Sequence, residues 1–226
     1  MDRQHCFGAA SGPLLSVIVV CMAGVIACAI CLILWAAGLD WVAALRDASR
    51  GDGLEAGLIS NIGIAMMSGA VVVLILALIR QFRLSVLFLA GFCALFALDD
   101  GLMLHEKLND LEIVVFPFYA ALLSLAWLAF ARELGVWIIW PIAGAFAAFA
   151  VSVVTDQLWY SVAWQVQHRF ELSFMEDYGD LRYLLEDIPK FAGLSLIVVL
   201  SVGEATKTLR APRSLSGTPD RDKSRI

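Results

Sequence analysis

The stretch from Leu14 to Leu39 contains no charged residue. A membrane-spanning helix needs about 20 apolar residues, while the apolar part of a secretory leader runs only about 7–15. This run is therefore expected to be a retained span and not a cleaved leader. Five further stretches have the same character: Leu58–Ile79, Leu84–Leu104, Ile113–Phe130, Val136–Thr155 and Leu184–Val202. The sequence thus predicts an all-α integral membrane protein, a bundle of six transmembrane helices.

Composition supports that reading. Hydrophobic residues make up 61% of the 226 and charged residues only 16%, against roughly 25% charged in ordinary soluble domains. Mean hydropathy is +0.82. A water-soluble globule of this size has too much surface for its interior to hide so much apolar side chain. A soluble enzyme, a disordered chain, a coiled coil and a nucleic-acid binder are excluded on these grounds.

Orientation follows from Lys and Arg, which favour the cytoplasmic side of spans. With the N-terminus cytoplasmic, Arg3, Arg80, Arg83, Arg132, Lys207, Arg210 and the basic residues of the tail all face inward. Most of the 21 acidic residues then face outward. Both termini are expected to be cytoplasmic, in a plasma or inner membrane. Residues 1–206 form one domain. Residues 207–226, rich in Arg, Ser, Pro and Gly, form a basic tail with little to bury, expected to be disordered near the anionic inner leaflet.

The outer connection between Asp156 and Tyr183 is long. Leu158, Val162, Val166 and Phe170 recur within it at four-residue steps, which predicts a short amphipathic helix on the outer side. Small residues allow close helix contact in lipid. Gly144, Ala148 and Ser152 form such a stripe, and Gly63, Ser68, Gly69 and Ala70 are the candidates on the second span. Pro117 and Pro189 sit near the outer ends of spans four and six. Cys28 and Cys31 form a C-x-x-C, but inside a span Cys is chiefly a small apolar packing residue. A disulfide framework is not expected for the five cysteines.

The pattern that carries chemistry lies at the outer helix ends. The apolar run before Asp99 is only Leu84–Leu98, so a full-length third span must include Asp99 and Asp100. Intramembrane acids are costly and face the protein interior or water, and they read as functional by default. His105 and Glu106 follow directly. The sixth span opens with Glu186 and Asp187, and Glu186 and Lys190 are four apart and share a face. His168 and Glu171 are three apart on the amphipathic stretch. Asn61 and Tyr119 lie at the same level.

Imidazoles and carboxylates converging from helix ends suit a divalent ion: zinc, iron or manganese. The expected metal ligands are His105, Glu106, His168, Glu171 and Asp99. Asp100, Glu186 and Asp187 are expected to orient ligands or act as general base. The function so predicted is a metal-dependent membrane enzyme acting on a lipid or other amphiphile at the outer boundary, by hydrolysis before oxidation. A proton- or cation-coupled transporter and a non-catalytic membrane subunit or sensor are the alternatives. Membrane lipid and a lipid-like substrate are the expected partners, with no nucleic acid. A purely structural account also exists. Glu186 and Asp187 favour a helix N-terminus, and Asp99 or Asp100 pairs with Lys190 or Arg182.

Overall fold

A computed structural model describes residues 4–42, 44–45, 57–102, 112–134, 139–158 and 174–210. Six helices occur among them, with no strand: α1 (Gln4–Ala36), α2 (Leu58–Arg80), α3 (Leu84–Leu102), α4 (Glu112–Leu134), α5 (Ile139–Leu158) and α6 (Phe174–Arg210). Five carry stretches long and apolar enough to cross a membrane; in α5 the apolar stretch is the shorter Trp140–Thr155. The chain is a membrane-embedded all-α bundle. Long side chains such as Leu14, Ile33, Ile79 and Val114 are more than half exposed, as lipid-facing residues should be.

Backbone chemistry sets several helix ends. Gly38 after α1 and Gly57 before α2 adopt left-handed φ angles of 73° and 64°, which cost glycine nothing. The Ile59 N–H at the start of α2 donates to the Ala44 carbonyl. That contact answers one of the donors every helix start leaves open. At the other end of α2, Gln81 turns extended and its N–H still reaches the Ala77 carbonyl. The tight Arg80–Arg83 connection then makes α2 and α3 a hairpin.

Contacts fix the directions of the helices. Residues 59 and 60 of α2 lie beside 190 and 191 of α6, Gly63 faces Leu194, and Arg80 reaches the Thr208 carbonyl. α2 and α6 are therefore parallel. Gly144 of α5 faces Leu196, and Gly193 of α6 faces Ala148 and Phe149, so α5 runs antiparallel to α6. α3 opposes α6, because Asp100 meets Lys190 and Arg83 meets Glu204. α4 opposes α3 through Asp99–Tyr119 and Ser85–Glu133. The bundle thus has an Asp100 end and an Arg83 end.

The main core fills the middle with Met67 and Leu74 of α2, Leu89, Phe92 and Cys93 of α3, Leu123 and Phe130 of α4, Ile142 of α5 and Leu196 and Ile197 of α6. A smaller cluster at the Asp100 end joins Ala23, Ala27 and Cys31 of α1 to Leu45, Ile59 and Phe191. Gly144 and Ala148 of the expected stripe do face α6, and Ser152 is buried. On α2 the expectation holds for Gly63 and Ala70, which are buried, but Ser68 and Gly69 are exposed. At 100° per residue, positions 63 and 70 differ by only about 20°, whereas 68 and 69 fall on the lipid side.

Boundaries also differ from expectation. α5 reaches Leu158 and so absorbs the first residues of the predicted amphipathic helix; the rest of that stretch, residues 159–173, lies outside the described residues. α6 begins at Phe174 and continues to Arg210, entering the stretch assigned to the tail. Residues 211–226 lie outside the described residues. Pro189 accordingly sits well inside α6, and the Leu185 carbonyl is left without its helical donor. Of the cysteines, Cys21, Cys28, Cys31 and Cys93 are free; Cys31 of α1 and Cys93 of α3 are buried as packing residues, whereas Cys21 and Cys28 are exposed on α1.

One of the close helix contacts can be tested directly. A Cβ on Gly193 would lie 3.1 Å from Phe149 Cε1 and 3.3 Å from Ala148 Cβ, whereas one on Gly69 would meet nothing within 4 Å. Gly193→Leu is expected to destabilise the detergent-solubilised protein by about 1–3 kcal/mol through overpacking. Gly69→Leu should be neutral or gain up to about 1 kcal/mol of helix propensity. Thermal unfolding followed by tryptophan fluorescence separates the two.

Candidate functional site

α3 delivers adjacent carboxylates to two different neighbours. Consecutive helical residues point about 100° apart, so Asp99 and Asp100 cannot serve the same partner. Asp99 turns toward α4, where Tyr119 Oη donates to its Oδ2 at 2.6 Å. Asp100 turns toward α6, where Lys190 Nζ donates to its Oδ1 at 2.8 Å. Both acids are buried. Lys190 Nζ also stands 5.6 Å from the centre of the Phe96 ring, a cation–π distance. Phe92, Phe96, Tyr119 and Phe149 pack with ring centroids 5.7–6.1 Å apart. This aromatic wall closes the site toward the middle of the bundle.

On the α2 side a cavity of about 10 Å³ lies between Ile59, Ser60, Asp100, Asp187, Lys190, Phe191 and Leu194. Asp187 is buried. The second oxygen of Asp100, Oδ2, is fully buried and has no hydrogen-bond partner among the described residues. Two acidic residues, a lysine and a serine are thus among the residues around a space of about the size of one water, whose exposed lining is mostly apolar. Chemically, the set can hold a proton, polarise water or balance a cation. Among the described residues no group of three His, Cys, Asp or Glu side chains gathers as a metal site.

The expected site residues fare differently. Asp100 and Asp187 meet at the cavity, as their shared level on α3 and α6 required. Asp99, the one expected metal ligand among the described residues, is hydrogen-bonded to Tyr119 of α4, about 100° round α3 from Asp100. Glu186 is half-buried beside Asp187 in sequence. His105, Glu106, His168 and Glu171 lie outside the described residues. Asn61 is exposed. The pairing of Asp100 with Lys190 realises one of the two partners weighed on structural grounds.

Sequence reasoning missed the polar cluster at the opposite end. Arg83 Nη1 lies 3.1 Å from Glu204 Oε2, and Lys207 Nζ lies 2.7 Å from Glu204 Oε1. Glu204 is only 1% exposed. Arg83 Nε donates to Glu133 Oε2 at 2.8 Å, and Ser85 Oγ donates to the same oxygen at 2.6 Å. Arg83 Nη2 is also 2.7 Å from that oxygen, off the line of a hydrogen bond. The guanidinium stands 5.9 Å from the Phe130 ring centre. In the sequence these residues serve only as markers of orientation. The available signal was Glu204 itself, an acid only two residues past the apolar run of the sixth span.

The family described as Domain of unknown function (DUF8692) matches residues 48–203. No curated protein and no solved structure matches the chain. The matched segment takes in α2 to α5 and most of α6, and with them Asp99, Asp100, Asp187 and Lys190.

The Asp100–Lys190 pair is open to a double-mutant cycle. Removing one member of a buried pair leaves the other charge uncompensated, typically at about 3–5 kcal/mol. Asp100→Asn and Lys190→Met are each expected to destabilise at the lower end of that range, because the Lys190 side chain keeps 21% of its exposure. The double variant should recover most of the loss. Additive losses in chemical denaturation would show that the pair is not coupled.

Proposed function

We propose, from the premise that the chain belongs to the DUF8692 family, that it is an integral membrane enzyme acting on the polar group of a lipid or amphiphile. The reaction site is the Asp100–Asp187–Lys190 end of the bundle. One observation carries this reading: the 2.8 Å contact between Asp100 and Lys190 brings the end of α3 to α6, so that a second buried carboxylate, Asp187, borders the same cavity. A buried acid–base set at one helix-end level is what an acyl or phosphoryl ester held at the boundary would meet.

The roles follow from position. Asp100 Oδ1 is committed to Lys190, and Oδ2 is left to accept a proton from a water nucleophile. Asp187 borders the same space and orients that water. Glu186, half-buried next to it, supports the charge balance of the rim. His105 and Glu106 come three and four residues after Leu102, the last described residue of α3, and His168 and Glu171 precede α6. On this proposal they hold a divalent ion, zinc before iron or manganese, that polarises the scissile group. The Arg83 end is cytoplasmic, together with both termini, in a plasma or inner membrane. This follows from the lysines and arginines gathered there.

The competing transport reading finds less support. Between Asp100 and Arg83 the interior of α3 and α6 is built from Phe92, Cys93, Phe96, Leu196, Ile197 and Leu200. Ser195 and Ser201, in the same stretch, donate to carbonyls of their own helix.

The test is turnover of ester and amide amphiphiles in mixed micelles by the purified protein, with metal analysis of the same sample. General acid–base groups contribute about 10²–10⁴-fold, so Asp100→Asn should cost about 10²-fold or more. His105→Ala with His168→Ala should remove bound metal and activity together. Turnover unchanged by Asp100→Asn, or full metal content in the double histidine variant, overturns the assignment.

A further inference from the structure

We infer that the end of the bundle where α2 and α6 stop side by side binds the headgroup of an anionic phospholipid. The two helices are parallel, and Arg80 Nε donates to the Thr208 carbonyl at 3.2 Å, so their last turns meet at one level. Arg80 lies in the last turn of α2, and Lys207 and Arg210 lie in the last turn of α6. All three are exposed. The carbonyl contact holds the Arg80 guanidinium at the junction of the helices, and a planar guanidinium suits the paired oxygens of a phosphate.

The first support is charge, counted with the ion pairs already made. The helix ends at this level carry Arg80, Arg83, Arg132, Lys207 and Arg210 against Glu133 and Glu204. Glu204 is held by Arg83 and Lys207, and Glu133 by Arg83 and Ser85. The sequence after α6 does not offset the excess, since it brings Arg213, Arg221, Lys223 and Arg225 against Asp220 and Asp222. Cations outnumber carboxylates at this end whatever further contacts each side chain makes, and such a field at a bilayer surface draws anionic headgroups. The second support is continuity with the lipid-facing surface. Val72, Ile75, Leu76 and Ile79 are exposed and share one face of α2 by their spacing, a stripe that ends at Arg80. Val202 and Leu209 are exposed on α6 and share a face in the same way. In a membrane-embedded bundle these side chains meet acyl chains, so the arginines stand at the level of the headgroups. A lipid answers both the stripe and the charge, whereas a free phosphate or an acidic peptide answers only the charge.

This site lies at the opposite end of the bundle from Asp100 and does not rest on the enzymatic reading. The full-length protein is reconstituted in nanodiscs of phosphatidylcholine with a rising share of phosphatidylglycerol. Lipid retained after release into detergent is counted by native mass spectrometry, and the thermal midpoint is followed by tryptophan fluorescence. The expected result is preferential retention of phosphatidylglycerol, a saturable rise in midpoint, and several-fold less retention when Arg80→Gln and Arg210→Gln are combined. Arg132→Gln removes one charge from the end of α4, which packs on α3 and α5, and should leave retention unchanged. If the combined variant does not fold, Arg210→Gln against Arg132→Gln, each a loss of one charge, decides the question. Equal retention of the two lipids overturns the proposal and leaves the arginines as helix-end caps. Equal loss in Arg210→Gln and Arg132→Gln also overturns it, because a diffuse surface field would act on both. So does a midpoint raised as much by inorganic phosphate, in discs of phosphatidylcholine alone, as by phosphatidylglycerol. No arm reads turnover, so the enzymatic reading stands or falls separately.

Discussion

A charge drawn into a bilayer must be answered from within the protein, and α6 answers α3 at both of its ends. At one end α3 supplies the acid, Asp100, and α6 the base, Lys190. At the other α3 leads in with the base, Arg83, and α6 supplies the acid, Glu204. The reversal of sign makes the antiparallel pairing of these helices specific. From Arg83 to Asp100 the chain rises about 25 Å, and from Lys190 to Glu204 about 21 Å, at 1.5 Å per residue. The mismatch is within the reach of the long Arg and Lys side chains. A slip of one turn, about 5.4 Å, would break both pairs and leave up to four buried charges unanswered. Register is set by electrostatics at the ends, while the apolar middle tolerates sliding.

With register fixed, the middle needs only shape. Lipid is as apolar as leucine, so burial provides little drive for helices to associate, and close contact has to supply it. Gly63, Gly144 and Gly193 let Leu194, Leu196 and Phe149 approach to 2.9–3.1 Å of where a Cβ would stand. These glycines all lie at interfaces with α6, whose apolar window is 56% buried against 17% for α1. The family match beginning at residue 48 coincides with this division. The matched segment is the tightly packed unit around α6, and α1 is a mostly lipid-facing helix laid against it.

The helices could be read from the sequence because a spanning helix is specified by a simple count of apolar residues. The site was legible in part for the same reason. The short run before Asp99 forced Asp99 and Asp100 into the third span, and burial of both follows. Which partner each would take was not legible. It depends on the rotation of α3 against α4 and α6, and a 100° step sends neighbours to Tyr119 and to Lys190. Ser68 and Gly69 were misplaced by the same ambiguity, since small residues mark an interface only once the buried face is known. The Arg83–Glu204 cluster escaped because charge near a predicted inner boundary looks the same whether it is solvated or enclosed. Glu204 is enclosed because α6 runs on past the apolar stretch and packs to Arg210.

The two ionic ends differ in what they leave open, and this separates structural from functional charge. At the Arg83 end both Glu204 oxygens are held by cations, and Glu133 is held by Arg83 and Ser85. Two buried groups there lack a hydrogen bond among the described residues: Thr208 Oγ1, a neutral hydroxyl, which is far cheaper to strand than a carboxylate oxygen, and Arg83 Nη2, which still lies 2.7 Å from Glu133 Oε2. Such a cluster is a clamp. At the Asp100 end a buried carboxylate oxygen has no hydrogen-bond partner among the described residues, and Asp100 and a second acid, Asp187, are among the residues lining a small cavity. A fold selected only for stability would fill that space with a methyl group or a second donor. A site held open on one side, and anchored by a salt bridge on the other, is suited to an occupant that comes and goes.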